Sequence, residues 1–142
     1  MTKTKNPSRV LVTADHHFGH ASILGMGRAH FESIEVHDEM LVTAWNAAVR
    51  PGDQVWHLGD FAYRCSLAYA EWIFARLNGV KRLVVGNHDG KVGLHLPWAS
   101  IHTGYVDTVL EGQRATLCHF PMRAWQGVFR GAWHLFGHTH GL

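Results

Sequence analysis

The sequence predicts a mixed α/β fold, and two observations support that prediction. In the first half, strand-like segments alternate with segments of helical periodicity, which is typical of a largely parallel sheet with crossover helices. In the second half, Glu111-Gly112 separates two strand-like runs, so residues 100–120 are expected to form an antiparallel pair. No linker divides the 142 residues, and we expect a single domain over 1–142.

The individual elements follow from local patterns. Residues 36–49 repeat apolar positions at helical spacing and stop at Arg50-Pro51-Gly52, while 66–79 open on Ser66 as a helix N-cap and close on Asn78-Gly79. Strand-like runs are rich in Val, Leu, Thr and aromatic residues and bounded by Gly, Pro or Asp. These runs cover residues 9–15, 53–60, 81–87, 100–110, 114–120 and 132–138.

Composition narrows the class of protein. A net charge of +2 and a pI near 8.7 are compatible with an anionic substrate but do not amount to the basic stripe of a dedicated nucleic-acid binder. Two cysteines, outside any C-x-x-C pair, do not form a disulfide framework. With no apolar leader and no membrane-length hydrophobic stretch, we expect a cytoplasmic protein with no membrane partner. The unusual feature is 13 histidines.

Potential metal ligands follow the ends of five strand-like segments, in TADHHFGH, LGDF, VGNHDG, LCHFP and FGHTHG. Ligands bind outside the carboxyl ends of strands in α/β sheets, so these residues are expected to converge on one edge. In the last segment, an extended H-x-H would place both imidazoles on the same side. The candidates are Asp15, His17, Asp60, Asn87, His88, Asp89, His119, His138 and His140.

These motifs resemble those of the calcineurin-like metallophosphoesterases, in a small bacterial or phage-type branch. The family pattern is D-x-H, G-D, G-N-H-D, an isolated H and G-H-x-H. The chain carries it in order as Asp15-His16-His17, Gly59-Asp60, Gly86-Asn87-His88-Asp89, His119 and Gly137-His138-Thr139-His140. The resemblance implies a mixed β-sheet sandwich with flanking helices and a metal-dependent phosphoesterase, with phosphodiesters favoured and phosphomonoesters open.

The resemblance also implies a centre of two divalent ions. Asp15, His17 and His140 would bind one ion, Asn87, His119 and His138 the other, and Asp60 both. Carboxylate, amide and imidazole ligands without thiolate suit Mn, Fe, Zn or Ni. A hydroxide bridging the two ions would attack the phosphoester.

The same resemblance suggests roles for His88 and Asp89 beside the ions, and the positions and chemistry of other residues suggest further ones. His88 would orient the phosphate and protonate the leaving group. Asp89 would either hold His88 or serve as a turn residue before Gly90. His20 and Arg28, like Arg64, are candidates for substrate binding, since a loop imidazole or a guanidinium can reach a phosphate oxygen; a surface arginine is the alternative for both arginines. His16 is expected to pack away from the ligands, and His57 to belong to its strand.

Members of that family usually continue past G-H-x-H through further strands, whereas only Gly141 and Leu142 follow here. We therefore expect C-terminal strands to be missing or shortened, which would leave an unpaired sheet edge. A shortened form of the fold and a second subunit covering the edge, as in a homodimer, are both open explanations.

Other functions stay open from the sequence. The substrate could be a small phosphoester or a short nucleotide, and a nuclease acting on short oligonucleotides is one version, although no basic, aromatic-lined track is evident. A catalytically inactive binding module on the same fold is the alternative from another class. A structural zinc module or metal store would need clustered His and Cys at zinc-finger spacing, which the sequence lacks.

Overall fold

A four-stranded parallel sheet forms the centre of the fold in a computed structural model that describes residues 6–141. Its strands lie in chain order, each hydrogen-bonded to the next, as expected for consecutive strands joined by crossovers. They are β1 (Val10–Thr13), β2 (Gln54–His57), β3 (Val80–Val84) and β4 (Ser100–His102). The α/β class predicted from the alternating segments is confirmed.

Two helices provide the first two crossovers. Helix α1 (Ile34–Ala48) joins β1 to β2, and the Ser33 hydroxyl caps it by accepting the Val36 N–H at 3.2 Å. Helix α2 (Leu67–Arg76) joins β2 to β3 and has the predicted cap, with Ser66 accepting the Tyr69 N–H at 3.1 Å. Within residues 6–141, no helix is long and apolar enough to cross a membrane.

A second sheet carries the remaining strands, β5 (Tyr105–Leu110), β6 (Gln113–Cys118) and β7 (Trp133–Phe136). The hairpin predicted at Glu111-Gly112 is confirmed: both turn residues have positive φ, 47° and 87°, and β5 pairs antiparallel with β6. Strand β7 returns parallel to β6. Its carboxyl end therefore lies beside that of β6.

The single strand predicted over residues 100–110 is divided between the two sheets. Ser100–His102 pair with β3, and the chain turns at Gly104, whose φ of 78° suits glycine, before β5 begins. Apolar and β-branched residues run through both parts, so the pattern alone does not reveal the break.

The first sheet is buried on both faces. On one face, both helices pack against it through a core that includes Trp45, Phe74 and Leu83. On the other face, Leu58 and Val84 pack against the second sheet. The layers are therefore helices, parallel sheet and mixed sheet.

Asp53 ties the start of β2 to the start of β1. Its side chain is 1% exposed and accepts hydrogen bonds from the Arg9 guanidinium at 2.7 Å and from the main-chain N–H groups of Arg9 and Arg50 at 3.0 and 2.8 Å. The hydrogen bond from the Arg9 side chain is the largest cause of a pKa well below the ordinary aspartate value. Because the folded-state pKa is depressed, the stabilisation is present above about pH 4 and is lost on acidification.

We expect Asp53→Asn to lower the free energy of unfolding at pH 7 and to reduce the loss of stability between about pH 4 and pH 2. Urea unfolding across that range measures both effects. Glu39→Gln is the matched control, because Glu39 also pairs with an arginine, Arg76 at 2.6 Å, but is 51% exposed, where ion pairs contribute little. Equal effects of the two substitutions would contradict the assignment.

Candidate metal centre

The carboxyl ends of both sheets meet at one place. Asp15, Asp60 and Asn87 follow β1, β2 and β3 of the parallel sheet. His119 and His138 follow the parallel neighbours β6 and β7 of the second sheet. The fold thus brings together potential ligands that are up to 125 residues apart in sequence, between Asp15 and His140.

Asp15, His17 and His140 form a first group of potential ligands, with one ligand atom from each lying within 4.8 Å of the others. His17 Nδ1 shares a hydrogen bond with His20 Nδ1 at 3.0 Å. His17 Nε2 is buried and has no hydrogen-bond partner among residues 6–141. An unsatisfied buried nitrogen costs roughly 1–3 kcal/mol, so this atom is suited to a bound cation.

A second group contains Asp60, His119 and His138, again within 4.8 Å of one another. Asn87 belongs beside them, because its Oδ1 lies 2.9 Å from His119 Nε2 and 3.2 Å from His138 Nδ1. His119 Nδ1 donates to the Leu58 carbonyl at 2.7 Å. Such a bond directs the other ring nitrogen toward a metal.

Asp60 stands between the two groups. Its Oδ2 lies 3.6 Å from His17 Nε2 and 3.4 Å from His119 Nε2. Its Oδ1 accepts the main-chain N–H of His88 at 2.8 Å. One carboxylate oxygen therefore faces both groups, which is the placement required of a bridging ligand.

Several residues of the site have unusual backbone conformations. Positive φ values occur at the potential ligands Asp15, His17, Asp60, His138 and His140. Such conformations are uncommon outside glycine and concentrate at functional sites. The expectation of an extended H-x-H was wrong: β7 ends at Phe136, and His138 and His140 are left-handed and join different ligand groups.

Two glycines allow the loops to approach each other. A Cβ on Gly59 would lie 2.6 Å from both the Gly86 Cα and His119 Nδ1. A Cβ on Gly86 would lie 2.7 Å from the Asp60 nitrogen and 2.9 Å from His119 Cε1. Neither position has space for any side chain.

Asp89 agrees with the expectation of a turn residue, since its N–H donates to the Gly86 carbonyl at 3.4 Å, but its carboxylate does not hold His88. Its carboxylate is buried and accepts the main-chain N–H groups of Asp60, Phe61 and Gly86 at 2.7, 2.9 and 2.7 Å. Burial raises its pKa, although these three bonds act in the opposite direction. Asp89 thus joins the loops after β2 and β3, and it positions ligands instead of holding His88.

Arg28 also differs from the expectation, because it lies behind the ligands and does not line the cavity in front of them. Its guanidinium donates to the main-chain carbonyls of Asp15 and His16 at 2.5 and 2.8 Å and to His37 Nε2 at 2.9 Å. These bonds make Arg28 a support for the loop of Asp15 and His16.

His37 continues this chain of hydrogen bonds into the protein. Its Nδ1 lies 2.7 Å from Asp38 Oδ1, and Asp38 Oδ2 accepts the Gly19 N–H at 2.8 Å and the Tyr69 hydroxyl at 2.7 Å. Asp38 and His37 are fully buried. Together with Arg28, they support the left-handed loop of Asp15 and His17 from α1 and α2. The sequence offered no signal for this support beyond the adjacent His37 and Asp38 in the first turns of α1.

His16 and His57 pack away from the ligands, as expected. His16 Nδ1 lies 2.9 Å from His57 Nε2, and the two rings contact Trp45. Burial lowers the pKa of His16 to about 3 and that of His57 well below its ordinary value. Both remain neutral at physiological pH.

Three of the potential ligands, His17, Asp60 and His119, have shifted pKa values. Burial lowers the pKa of His17 to about 3, so its imidazole is neutral at pH 7, the state in which a histidine binds a metal. Burial opposes a charged Asp60, but hydrogen bonds from His119 and the His88 N–H lower its pKa overall. Burial likewise opposes a charged His119, yet Asp60 and the Leu58 carbonyl raise its pKa. The protein therefore favours positive charge between Asp60 and His119, where a cation would replace the proton.

A cavity of about 310 Å³ opens in front of both groups. His88 and His20 line it beside the potential ligands, and His20 is held by His17 and by the Ser22 hydroxyl at 2.8 Å.

Two residues that line the cavity were not indicated by the sequence. They are Tyr63, whose ring lies 4.3 Å from that of His88, and Met26. Arg64 also lines the cavity. Only the position of Tyr63 shortly after Asp60 could have drawn attention to it.

This α/β protein, which contains two groups of potential metal ligands, has relatives among known proteins. The uncharacterized protein MJ1445 of Methanocaldococcus jannaschii is 30% identical over 135 residues, which are 93% of this chain and 69% of that protein. The chain belongs to the same family as MJ1445. No family profile matches the chain.

Two further similarities cover different fractions of the chain. The gene 66 protein of Mycobacterium phage L5 is 37% identical over 86 residues, which are 58% of this chain and 41% of the phage protein. The chain thus spans less than half of that relative. The crystal structure of AQ665 from Aquifex aeolicus, a protein of unknown function, matches with a TM-score of 0.69 and 26% identity, over 87% of this chain and 67% of AQ665.

We expect Gly86→Ala to weaken Mn²⁺ binding at least about tenfold, because the new methyl group would displace Asp60 and His119. Calorimetric titration with Mn²⁺ measures the change, and circular dichroism reports whether the fold persists. Gly90→Ala is the matched control, because nothing lies within 4 Å of a Cβ at Gly90. Unchanged Mn²⁺ affinity in a folded Gly86→Ala protein would contradict the placement of the centre.

Proposed function

We propose that the protein is a metal-dependent phosphoesterase whose centre holds two divalent cations, of the kind formed by Mn, Fe, Zn or Ni. The observation that supports this most is the position of Asp60 Oδ2, within 3.6 Å of His17 Nε2 and 3.4 Å of His119 Nε2. A carboxylate shared between two ligand groups is the arrangement by which proteins hold paired cations. The resemblance of the motifs to calcineurin-like metallophosphoesterases agrees with this proposal.

The charges of the site support a need for cations. Asp15 and Asp60 are both buried within the ligand groups, and Arg64 is the one arginine or lysine that lines the cavity among the described residues. Without added positive charge, two carboxylates would repel an anionic substrate. Two bound divalent cations would reverse that field, polarise the phosphoryl group and acidify a water molecule.

The protein's own groups would complete the reaction. His88 lines the cavity but belongs to neither ligand group, so its imidazole is free to take part in proton transfer. Its main-chain N–H holds Asp60, and its ring lies 5.5 Å from the ring of His17. In the proposed mechanism, a ring nitrogen of His88 donates a proton to the leaving oxygen, while Tyr63 and His20 restrict the ring from the side.

We expect His88→Asn to lower kcat for bis-p-nitrophenyl phosphate by roughly 10²–10⁴-fold, the range for loss of a general acid. Metal content should be unchanged, because His88 is outside both ligand groups. The measurement is hydrolysis after reconstitution with Mn²⁺, Ni²⁺ or Zn²⁺ in turn, beside metal analysis. His95→Asn is the control, since His95 is an exposed histidine outside the cavity.

Two other results would change the proposed function or the proposed role of His88. Two equivalents of bound metal without turnover of any ester by the wild-type protein would favour a binding module. Full activity in His88→Asn would remove the proposed general acid while leaving the phosphoesterase in place.

A further inference from the structure

One wall of the cavity is apolar, although the ligand groups beside it are polar. The wall comes from the 3₁₀ helix Ala21–Gly25 with its flanking residue Met26, and from Tyr63. Ile23 is 1% exposed and supports this wall from the core, whereas Met26 is 64% exposed at the rim. Binding a metal and a phosphate requires none of these side chains.

Met26 has the properties of a contact for a ligand. An exposed methionine beside a ligand cavity is an adaptable apolar surface, because its side chain is flexible and polarisable. Tyr63 is by contrast fixed, with its ring 4.8 Å from His20 in a perpendicular arrangement and 4.3 Å from His88. The two residues thus provide one movable and one rigid apolar surface next to the proposed general acid.

The size and charge of the cavity limit what binds there. About 310 Å³ is near the lower end for sites that hold small organic ligands, so there is space for more than a phosphate group. Arg64, at the rim with its guanidinium carbon 5.2 Å from the Tyr63 ring centroid, is the single arginine or lysine that the described residues contribute. A singly charged phosphodiester needs less compensation than a doubly charged monoester.

We propose that the site selects phosphodiesters carrying an aromatic group, and that the non-leaving aromatic group rests on Met26 and Tyr63. This inference rests on the proposed phosphoesterase function and names its substrate class. The apolar wall, not the ligand groups, then determines the preference between esters.

The test compares two esters with the same leaving group, phenyl p-nitrophenyl phosphate and methyl p-nitrophenyl phosphate, in the metal-reconstituted protein. We expect Met26→Ala to lower kcat/KM for the phenyl ester roughly three- to tenfold, mainly through KM, and to change the methyl ester less than about twofold. Comparing each variant with wild type cancels the different intrinsic reactivities. Met40→Ala is the matched control, since Met40 is 57% exposed on α1 and does not line the cavity.

A second variant and a binding measurement complete the test. Tyr63→Phe, which keeps the aromatic ring beside His88, should retain the wild-type preference between the two esters. Calorimetry should show that phenylphosphonate binds more tightly than methylphosphonate to the wild-type protein, with the difference reduced in Met26→Ala. Equal losses for both esters, or no loss, would overturn the inference alone. Failure of the wild-type protein to hydrolyse any ester would overturn the proposed function and this inference with it.

Discussion

The carboxylate of Asp60 is the group on which the rest of the site depends. Its Oδ2 faces His17 and His119 at 3.6 and 3.4 Å, its Oδ1 accepts the His88 N–H, and its own N–H is held by Asp89. Because both ligand groups are arranged around this one carboxylate, the loops after β1, β2, β3 and β6 must all approach it. The parallel order of the first sheet and the parallel pairing of β6 with β7 satisfy that requirement.

Such an approach requires backbone conformations that the chain does not adopt readily. The loops that contain the left-handed residues Asp15, His17 and Asp60 are each held by an arginine or aspartate side chain that does not line the cavity. Arg28 binds the main-chain carbonyl of Asp15, Asp38 binds the Gly19 N–H, and Asp89 binds the Asp60 N–H. Residues with unfavourable backbone conformations persist where several surrounding contacts fix them. The supporting residues are therefore as necessary to the site as the ligands, although they do not reach the cavity.

Much of this arrangement could be predicted from the sequence, and the exceptions have physical causes. Alternating periodicity predicted the order of strands and helices, and polar residues at strand ends predicted which side chains would converge. The actual partners of Asp89 and Arg28 are main-chain groups of other loops, and a side-chain pattern does not record those. The left-handed conformations of His138 and His140 depend on contacts such as the bond from the His138 N–H to Asp15, 123 residues away. The sequence did not indicate Tyr63 and Met26, because these residues come together only when the loops have folded around the cavity.

The proposed function requires one cation on each side of Asp60. Anomalous diffraction from crystals soaked in Mn²⁺ tests this most directly, because it locates each ion independently of any activity. We expect two anomalous peaks, one among Asp15, His17 and His140 and the other among Asp60, Asn87, His119 and His138, separated by about 3.5–4 Å with Asp60 in contact with both. A single peak, or peaks away from Asp60, would contradict the paired centre and the function inferred from it.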